Sequence, residues 1–237
     1  MGSEYDGVHL LVNFRKFKKL VAELKKASVA IKLDKEYLRR LDPSFESSFQ
    51  YLFHAGFRAL RLYRIAHAFY VSDFKFLAYL IYHINRILYT VDIHPASLIE
   101  PGVVVDHGAG LVIGSTAVVG SGTVLYHGVT LGAKYITKGK RHPTVGRNVV
   151  IGAGAKVLGP VSIGDNAKIG ANSVVISDVP KGATAVGIPA RVVIKDERND
   201  EAANPLSCCA IDNIDNNDKY GDELCPKKEN DLEEVLM

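Results

Sequence analysis

Aliphatic residues recur every six positions between Ile93 and Pro180. The series runs Ile93, Ile99 and Val105, then, after a two-residue slip, Ile113, Val119, Leu125 and Leu131. After a longer break it resumes at Val145, Ile151, Val157, Ile163, Ile169 and Val175. Glycine often follows the aliphatic residue, as in Ile113-Gly114 and Ile151-Gly152, and a small residue often stands four places on, as at Ala117, Thr123, Ala155, Ala167 and Ser173. Neither the helical period nor strand alternation produces a period of six over so many units. A short fixed period means stacked identical units. Six residues make one short flat strand plus a corner, and three such units make one triangular coil. The pattern therefore predicts a mainly β fold with added α, a left-handed parallel β-helix of hexapeptide repeats behind an α-helical N-terminal region.

The segment before the repeats has helical spacing. Residues 8–27 read as a basic amphipathic helix with Leu10, Leu11, Phe14, Phe17, Val21 and Leu24 on one side. That face predicts packing on the body or on another subunit rather than membrane binding. Asp42-Pro43-Ser44 is a helix-start signal, and residues 44–70 are expected to be helical with an interruption near Gly56. Phe74, Leu77, Ile81, Ile84 and Leu88 mark another apolar helix over 74–90, with faces suited to burial between subunits. The expected organisation is a helical region over 1–90, the β-helix over 91–195, and a tail over 196–237.

Charge sharpens this division. The tail carries 13 acidic and 4 basic residues, although the 237-residue chain as a whole is at +3. Such a tail is expected to be largely disordered, with Asp231–Met237 as a short helix or partner-binding tip. The remaining basic body suits nucleic acid, a membrane surface or an anionic ligand. A Gly- and Val-rich prism without an aromatic stacking platform argues against nucleic acid. No apolar run is long enough to span a membrane, and Met1-Gly2-Ser3-Glu4 lacks the order of a secretory signal, so a cytoplasmic protein is expected. Cys208, Cys209 and Cys225 all lie in the tail, which leaves the body without a disulfide framework.

Candidate chemistry gathers where the rhythm breaks. Asp106-His107-Gly108-Ala109-Gly110 occupies the two-residue slip, and Lys140-Arg141-His142-Pro143 ends the insertion Gly132–Thr144. An insertion at a prism corner must protrude, and loops on a rigid scaffold often carry function. A lone histidine in a repeat protein is more often a corner residue than a catalyst. Here Asp92 lies fifteen positions before His107, a little under one coil, so both reach the same edge of the prism. A carboxylate beside an imidazole fixes its tautomer and stabilises its charged form, which makes His107 a reasonable general base.

Several strings together resemble the serine O-acetyltransferases, a family of hexapeptide-repeat acyltransferases. They are Val91-Asp92-Ile93-His94-Pro95, Asp106-His107-Gly108-Ala109-Gly110, Gly128-Val129-Thr130-Leu131-Gly132 and Lys140-Arg141-His142-Pro143-Thr144. Ile151-Gly152-Ala153-Gly154-Ala155 and Val186-Gly187-Ile188-Pro189-Ala190-Arg191 also match, though other hexapeptide acyltransferases share these. The resemblance covers about Ser44 to Val193. It implies transfer of acetyl from acetyl-CoA to L-serine, the first step of cysteine biosynthesis, without a metal. It further implies that His107 deprotonates the serine hydroxyl, Asp92 orients His107, Asp106 contacts the serine ammonium, and Arg141 and His142 hold its carboxylate. A backbone N–H of the Leu131-Gly132-Ala133 turn is implied as oxyanion partner, with Ala133 standing where the family has glycine. His127 stands where glutamine is expected and is a candidate for tuning His107 or touching substrate. For CoA the implied contacts are Ala153, Gly154 and Ala171 along the pantetheine arm, and Lys156, Lys168, Lys181 and Arg191 for its phosphates. The family's site is shared between subunits, which implies a homotrimer or a dimer of trimers. Docking of the C-terminus on O-acetylserine sulfhydrylase is left open, because Met237 replaces the family's terminal isoleucine.

Three rivals use the same prism. A hexapeptide acetyltransferase acting on a sugar or antibiotic would not need the zwitterion-binding pair Asp106 and Arg141/His142. A zinc carbonic anhydrase would use His107, His127 and His142 as ligands across subunits. A catalytically silent assembly scaffold would need none of these polar residues.

Overall fold

A computed structural model describes residues 3–42 and 49–193, with the backbone alone described for 3–13. The expected helix start at Pro43-Ser44, the acidic tail, its cysteines and the Asp231–Met237 tip lie outside the described residues.

The six-residue rhythm is a three-faced parallel prism. Its strands are two to four residues long, because each covers one face before the chain turns a corner. Face 1 holds β1 (Asp92–Ile93), β4 (Val112–Ile113), β7 (Thr130–Gly132), β10 (Lys156–Leu158) and β13 (Val174–Val175). Face 2 holds β2 (Leu98–Ile99), β5 (Val118–Val119), β8 (Thr144–Val145) and β11 (Ser162–Ile163). Face 3 holds β3 (Val104–Val105), β6 (Val124–Leu125), β9 (Val150–Ile151), β12 (Lys168–Ile169), β14 (Thr184–Gly187) and β15 (Ala190–Val193). The chain visits the faces in the order 1, 2, 3. Pairing is parallel except between β14 and β15, whose antiparallel hairpin ends the prism.

Register follows the aliphatic column. Val105 pairs with Leu125, Leu125 with Ile151, and Ile151 with Ile169. Every aliphatic residue of the repeat from Ile93 to Val175 is buried, and Ala117, Thr123, Ala155, Ala167 and Ser173 fill the narrow interior between them. Each inward Val, Leu or Ile contributes about 1.5–3 kcal/mol of transfer free energy, so the column alone explains why the prism holds. Close stacking at the corners excludes side chains. A Cβ on Gly152 would stand 2.6 Å from the Ala171 nitrogen in the next coil.

The helical region covers the first coil. Helix α1 runs Ser3–Leu41, longer than the expected 8–27. Its buried positions are Leu20, Ala27, Ala30, Asp34 and Leu38, whereas Phe14, Phe17 and Val21 of the expected packing face are exposed in the single chain. A 3-10 turn at Gln50–Leu52 precedes α2 (Ala55–Val71), which His54 caps. The expected interruption near Gly56 thus falls before it, and Gly56 lies in the first turn of α2. Helix α3 (Lys75–Tyr89) matches the expected helix over 74–90, and its Phe76, Ile87 and Leu88 are exposed.

Gly56 sets how closely α2 approaches the prism, since a Cβ there would lie 2.0 Å from the Val105 carbonyl oxygen. Ala59, Leu60 and Tyr63 join the prism core directly. A buried ion pair ties the parts together. Arg64 donates to both Asp34 oxygens at 3.0 Å and to the carbonyls of Ile99 and Glu100, while Asp34 also accepts from the Gly102 amide at 2.8 Å. Burial pushes the Asp34 carboxyl upward against the opposing pull of Arg64.

Candidate active site

Two residues more than the regular repeat are accommodated where face 3 turns into face 1. The regular left-handed positions of this corner are Gly110, Gly128, Gly154 and Asn172, stacked one coil on the next. His107, at φ 57°, and Gly108 are the additional ones, and the Gly108 amide closes the turn on the Asp106 carbonyl at 2.6 Å. Left-handed backbone is costly for a residue with a Cβ, so its presence here marks a candidate functional position. The turn throws the imidazole outward, where it is 77% exposed in the single chain. Asp106 Oδ1 lies 3.8 Å from His107 Nε2.

Register places a column at this corner. The corner ladder stacks Ala109, His127, Ala153 and Ala171 one coil above another, and His107 joins this column from the inserted turn. The imidazoles of His107 and His127 meet edge to face at 5.9 Å. Ala153 and Gly154 are half-buried and Ala171 is exposed, leaving a shallow floor without large side chains below the two rings. Lys156 is drawn into this corner, its ammonium donating to the Gly128 carbonyl. Lys168, Lys181 and Arg191 are exposed further down the prism.

Asp92 begins face 1 beside the same corner. Its Oδ1 accepts a short hydrogen bond from the Tyr82 hydroxyl, and Arg86 Nε lies 3.5 Å from its Oδ2. Burial first, then the Asp92 carboxylate, pushes the Tyr82 hydroxyl up to about 12.

His54, Asp42 and Tyr126 also belong to this neighbourhood, and sequence reasoning missed all three as site residues. His54 Nδ1 accepts the Phe57 amide at 3.1 Å as the α2 cap, so its proton sits on Nε2, 3.8 Å from Asp42 Oδ2. Burial pushes the imidazole below its ordinary value, against the pull of Asp42 and Asp106 and with the help of His107. Burial raises the Tyr126 hydroxyl, and Asp106 and Asp42 add to the shift. No local spacing marks these three residues, because the close approach that Gly56 permits is what brings the α2 cap to this corner.

The insertion leaves the prism at another corner, between faces 1 and 2. There His142 is buried, and its Nδ1 receives the Thr116 amide at 3.2 Å. An acceptor Nδ1 puts the proton on Nε2, so a neutral His142 still offers one N–H. Gly114 is the floor beneath the ring, since a Cβ there would lie 2.0 Å from it. Burial pushes His142 downward, and Arg141, Lys140 and His94 add to the shift. Arg141 is positioned by its amide on Thr116 Oγ1 at 3.1 Å and by its guanidinium on the Thr137 carbonyl. Gly132 and Ala133 open the same insertion.

The comparisons with known proteins fit this geometry. The family model for bacterial transferase hexapeptide (six repeats) matches residues 142–177. A serine acetyltransferase of Helicobacter pylori is 47% identical over 156 residues, covering 65% of this chain and 91% of the relative. This chain belongs to the serine acetyltransferase family. A Neisseria gonorrhoeae serine acetyltransferase solved in complex with serine superposes with TM-score 0.70 at 40% identity, over 75% of this chain and 73% of the other. A serine acetyltransferase solved with CoA gives TM-score 0.69 at 40% identity, over 75% and 74%.

Within one serine acetyltransferase chain the expected residues form two groups. His107, Asp106, His127, Ala153, Gly154 and Ala171 gather at the entry edge of face 1, whereas Asp92, on the first strand of that face, meets Tyr82, Arg86 and His94. Arg141, His142, Gly132 and Ala133 gather at its exit edge, with His94 beside them.

Proposed function

We propose that the chain acetylates L-serine from acetyl-CoA through His107, in a site completed by a second copy of itself. The observation that carries this is the column of His107 and His127 over the small residues Ala153 and Ala171. It places an exposed imidazole at the head of a floor that an extended pantetheine arm can follow. No helix among the described residues is long and apolar enough to cross a membrane.

The chemistry follows from the groups. His107 accepts the serine hydroxyl proton as the oxygen attacks the thioester carbonyl carbon. Collapse of the tetrahedral intermediate breaks the C–S bond, and the imidazolium returns its proton to the CoA thiolate. A positioned base of this kind contributes about 10²–10⁴-fold. Asp106 beside His107 suits the serine ammonium. Arg141 supplies a planar fork for the carboxylate, and the Nε2–H of His142 supplies a neutral donor. Gly132 or Ala133 offers the backbone N–H for the oxyanion.

Because the base and the carboxylate-binding pair sit on opposite edges of face 1, neighbouring prisms bring them together, and a homotrimer is the smallest complete unit. The exposed Phe76, Ile87 and Leu88 of α3 suit a dimer of trimers built through the 1–90 region. The 91–195 segment is the acyltransferase domain; docking of the 196–237 tail on O-acetylserine sulfhydrylase is a separate contact that the transfer does not require. A pulldown with the last residues removed tests that contact. A cytoplasmic location accords with acetyl-CoA as co-substrate and is checked by cell fractionation.

Thiol release from acetyl-CoA, with L-serine as acceptor, tests the reaction. Serine-dependent release that disappears in His107→Ala is the expected result. High turnover on a sugar or antibiotic with none on serine would move the assignment to another acceptor.

A further inference from the structure

Tyr82 and Arg86 stand one helical turn apart on α3, and this i, i+4 spacing presents both to the same strand. That strand is β1, and both side chains meet there on Asp92. The Tyr82 hydroxyl donates to Oδ1, and Arg86 Nε lies 3.5 Å from Oδ2. Arg86 also stacks on the Tyr82 ring, 5.7 Å from its centroid. The ring is braced on its other sides by Tyr79 at 6.3 Å and His94 at 6.1 Å. Asp92 is therefore gripped from a helix outside the prism by a phenol whose own position is set by three neighbours.

We propose that Tyr82, seconded by Arg86, is a positioning residue for the acetyl transfer, acting through Asp92 on His107. The inference rests on the proposed role of Asp92 as the carboxylate that orients His107. A carboxylate that serves an imidazole has two requirements. Its plane must be fixed, and its charge must be moderated, because an unshared carboxylate would hold the imidazolium too firmly. A hydroxyl on one oxygen and a guanidinium near the other meet both. Each oxygen retains a lone pair for the imidazole. The groups that meet Asp92 are Tyr82 and Arg86 from α3 and His94 from the face 1–face 2 corner.

Tyr82→Phe removes the hydroxyl and keeps the braced ring, so the fold survives. The experiment is steady-state kinetics of the full chain with L-serine and acetyl-CoA across pH, for wild type, Tyr82→Phe, Asp92→Asn and the double variant. Tyr82→Phe is expected to lower kcat about tenfold, the scale of one hydrogen bond to a charged group. The KM for serine and the melting temperature should stay at their wild-type values. The acidic limb of the kcat/KM profile should move to higher pH, because the freed carboxylate holds the charged imidazole more strongly. In the Asp92→Asn background Tyr82→Phe should cost nothing further. A wild-type kcat and pH profile in Tyr82→Phe, with Asp92→Asn impaired, overturns the proposal and leaves the role of Asp92 standing. Fully additive losses in the double variant also overturn it. Full turnover in Asp92→Asn removes the role of Asp92 and this proposal together.

Discussion

The His107 ring meets the His127 ring edge to face at 5.9 Å, one coil apart on the same corner. Residues in contact couple, and their substitutions are not additive. His107→Ala is expected to lower turnover by about 10²–10⁴-fold. If His127 acts only on the base, then His127→Gln, which costs a few-fold at most in the parent, should cost nothing further once His107 is gone. A double-mutant cycle on kcat reads this directly, and a full additive loss would give His127 an independent contact with substrate.

The left-handed backbone at His107 predicts a trade of stability against activity. Glycine carries no Cβ penalty at φ 57°. His107→Gly should therefore be about 1 kcal/mol more stable than His107→Ala, with both inactive. Denaturant midpoints at equal m-value measure the difference. Equal midpoints would mean that the corner relaxes when the histidine is removed.

Three half-buried or buried histidines predict acid sensitivity. Burial is the leading cause that lowers His54, His94 and His142 below the ordinary 6.5. As pH falls, the unfolded chain takes up these protons first, so it binds more protons than the folded one. The stability they contribute is complete above 6.5 and is lost as pH falls through the lower folded values. The melting temperature should decline from pH 6.5 to 5. The decline should be shallower in His142→Gln, and an identical slope would remove His142 from the account.

The floor beneath His142 gives a substrate-binding prediction. Gly114→Ala would place a Cβ 2.0 Å from a ring held by Thr116, so the ring must leave its position. The KM for serine should rise with little change in the KM for acetyl-CoA, and Arg141→Ala should have the same signature. A Gly114→Ala enzyme with normal serine KM would take His142 out of the serine site.

The prism was legible because its cause is local and repeated. Inward position, glycine corner and small filler recur in each six-residue unit, so Ile93 through Val175 could be placed from spacing alone. The breaks were legible for the same reason, and they led to His107 and to Arg141-His142. The helices were less so. The buried side of α1 is defined by Leu20, Ala27 and Leu38, which partner α2 and the first coil, and not by the larger Phe14 and Phe17. His54 could not be read as a site residue, because only the close approach permitted by Gly56 brings the α2 cap to Asp106.

The sequence by itself determined the coil, its register and the identity of the reactive corner, since each depends on residues near one another in the chain. Tertiary structure decided what surrounds that corner. Tyr82 and Arg86 reach Asp92 from a helix, His54 and Asp42 arrive from another connection, and Arg141 and His142 stand at the far edge of face 1. Those contacts depend on how helices and coils pack, and no period in the chain encodes them.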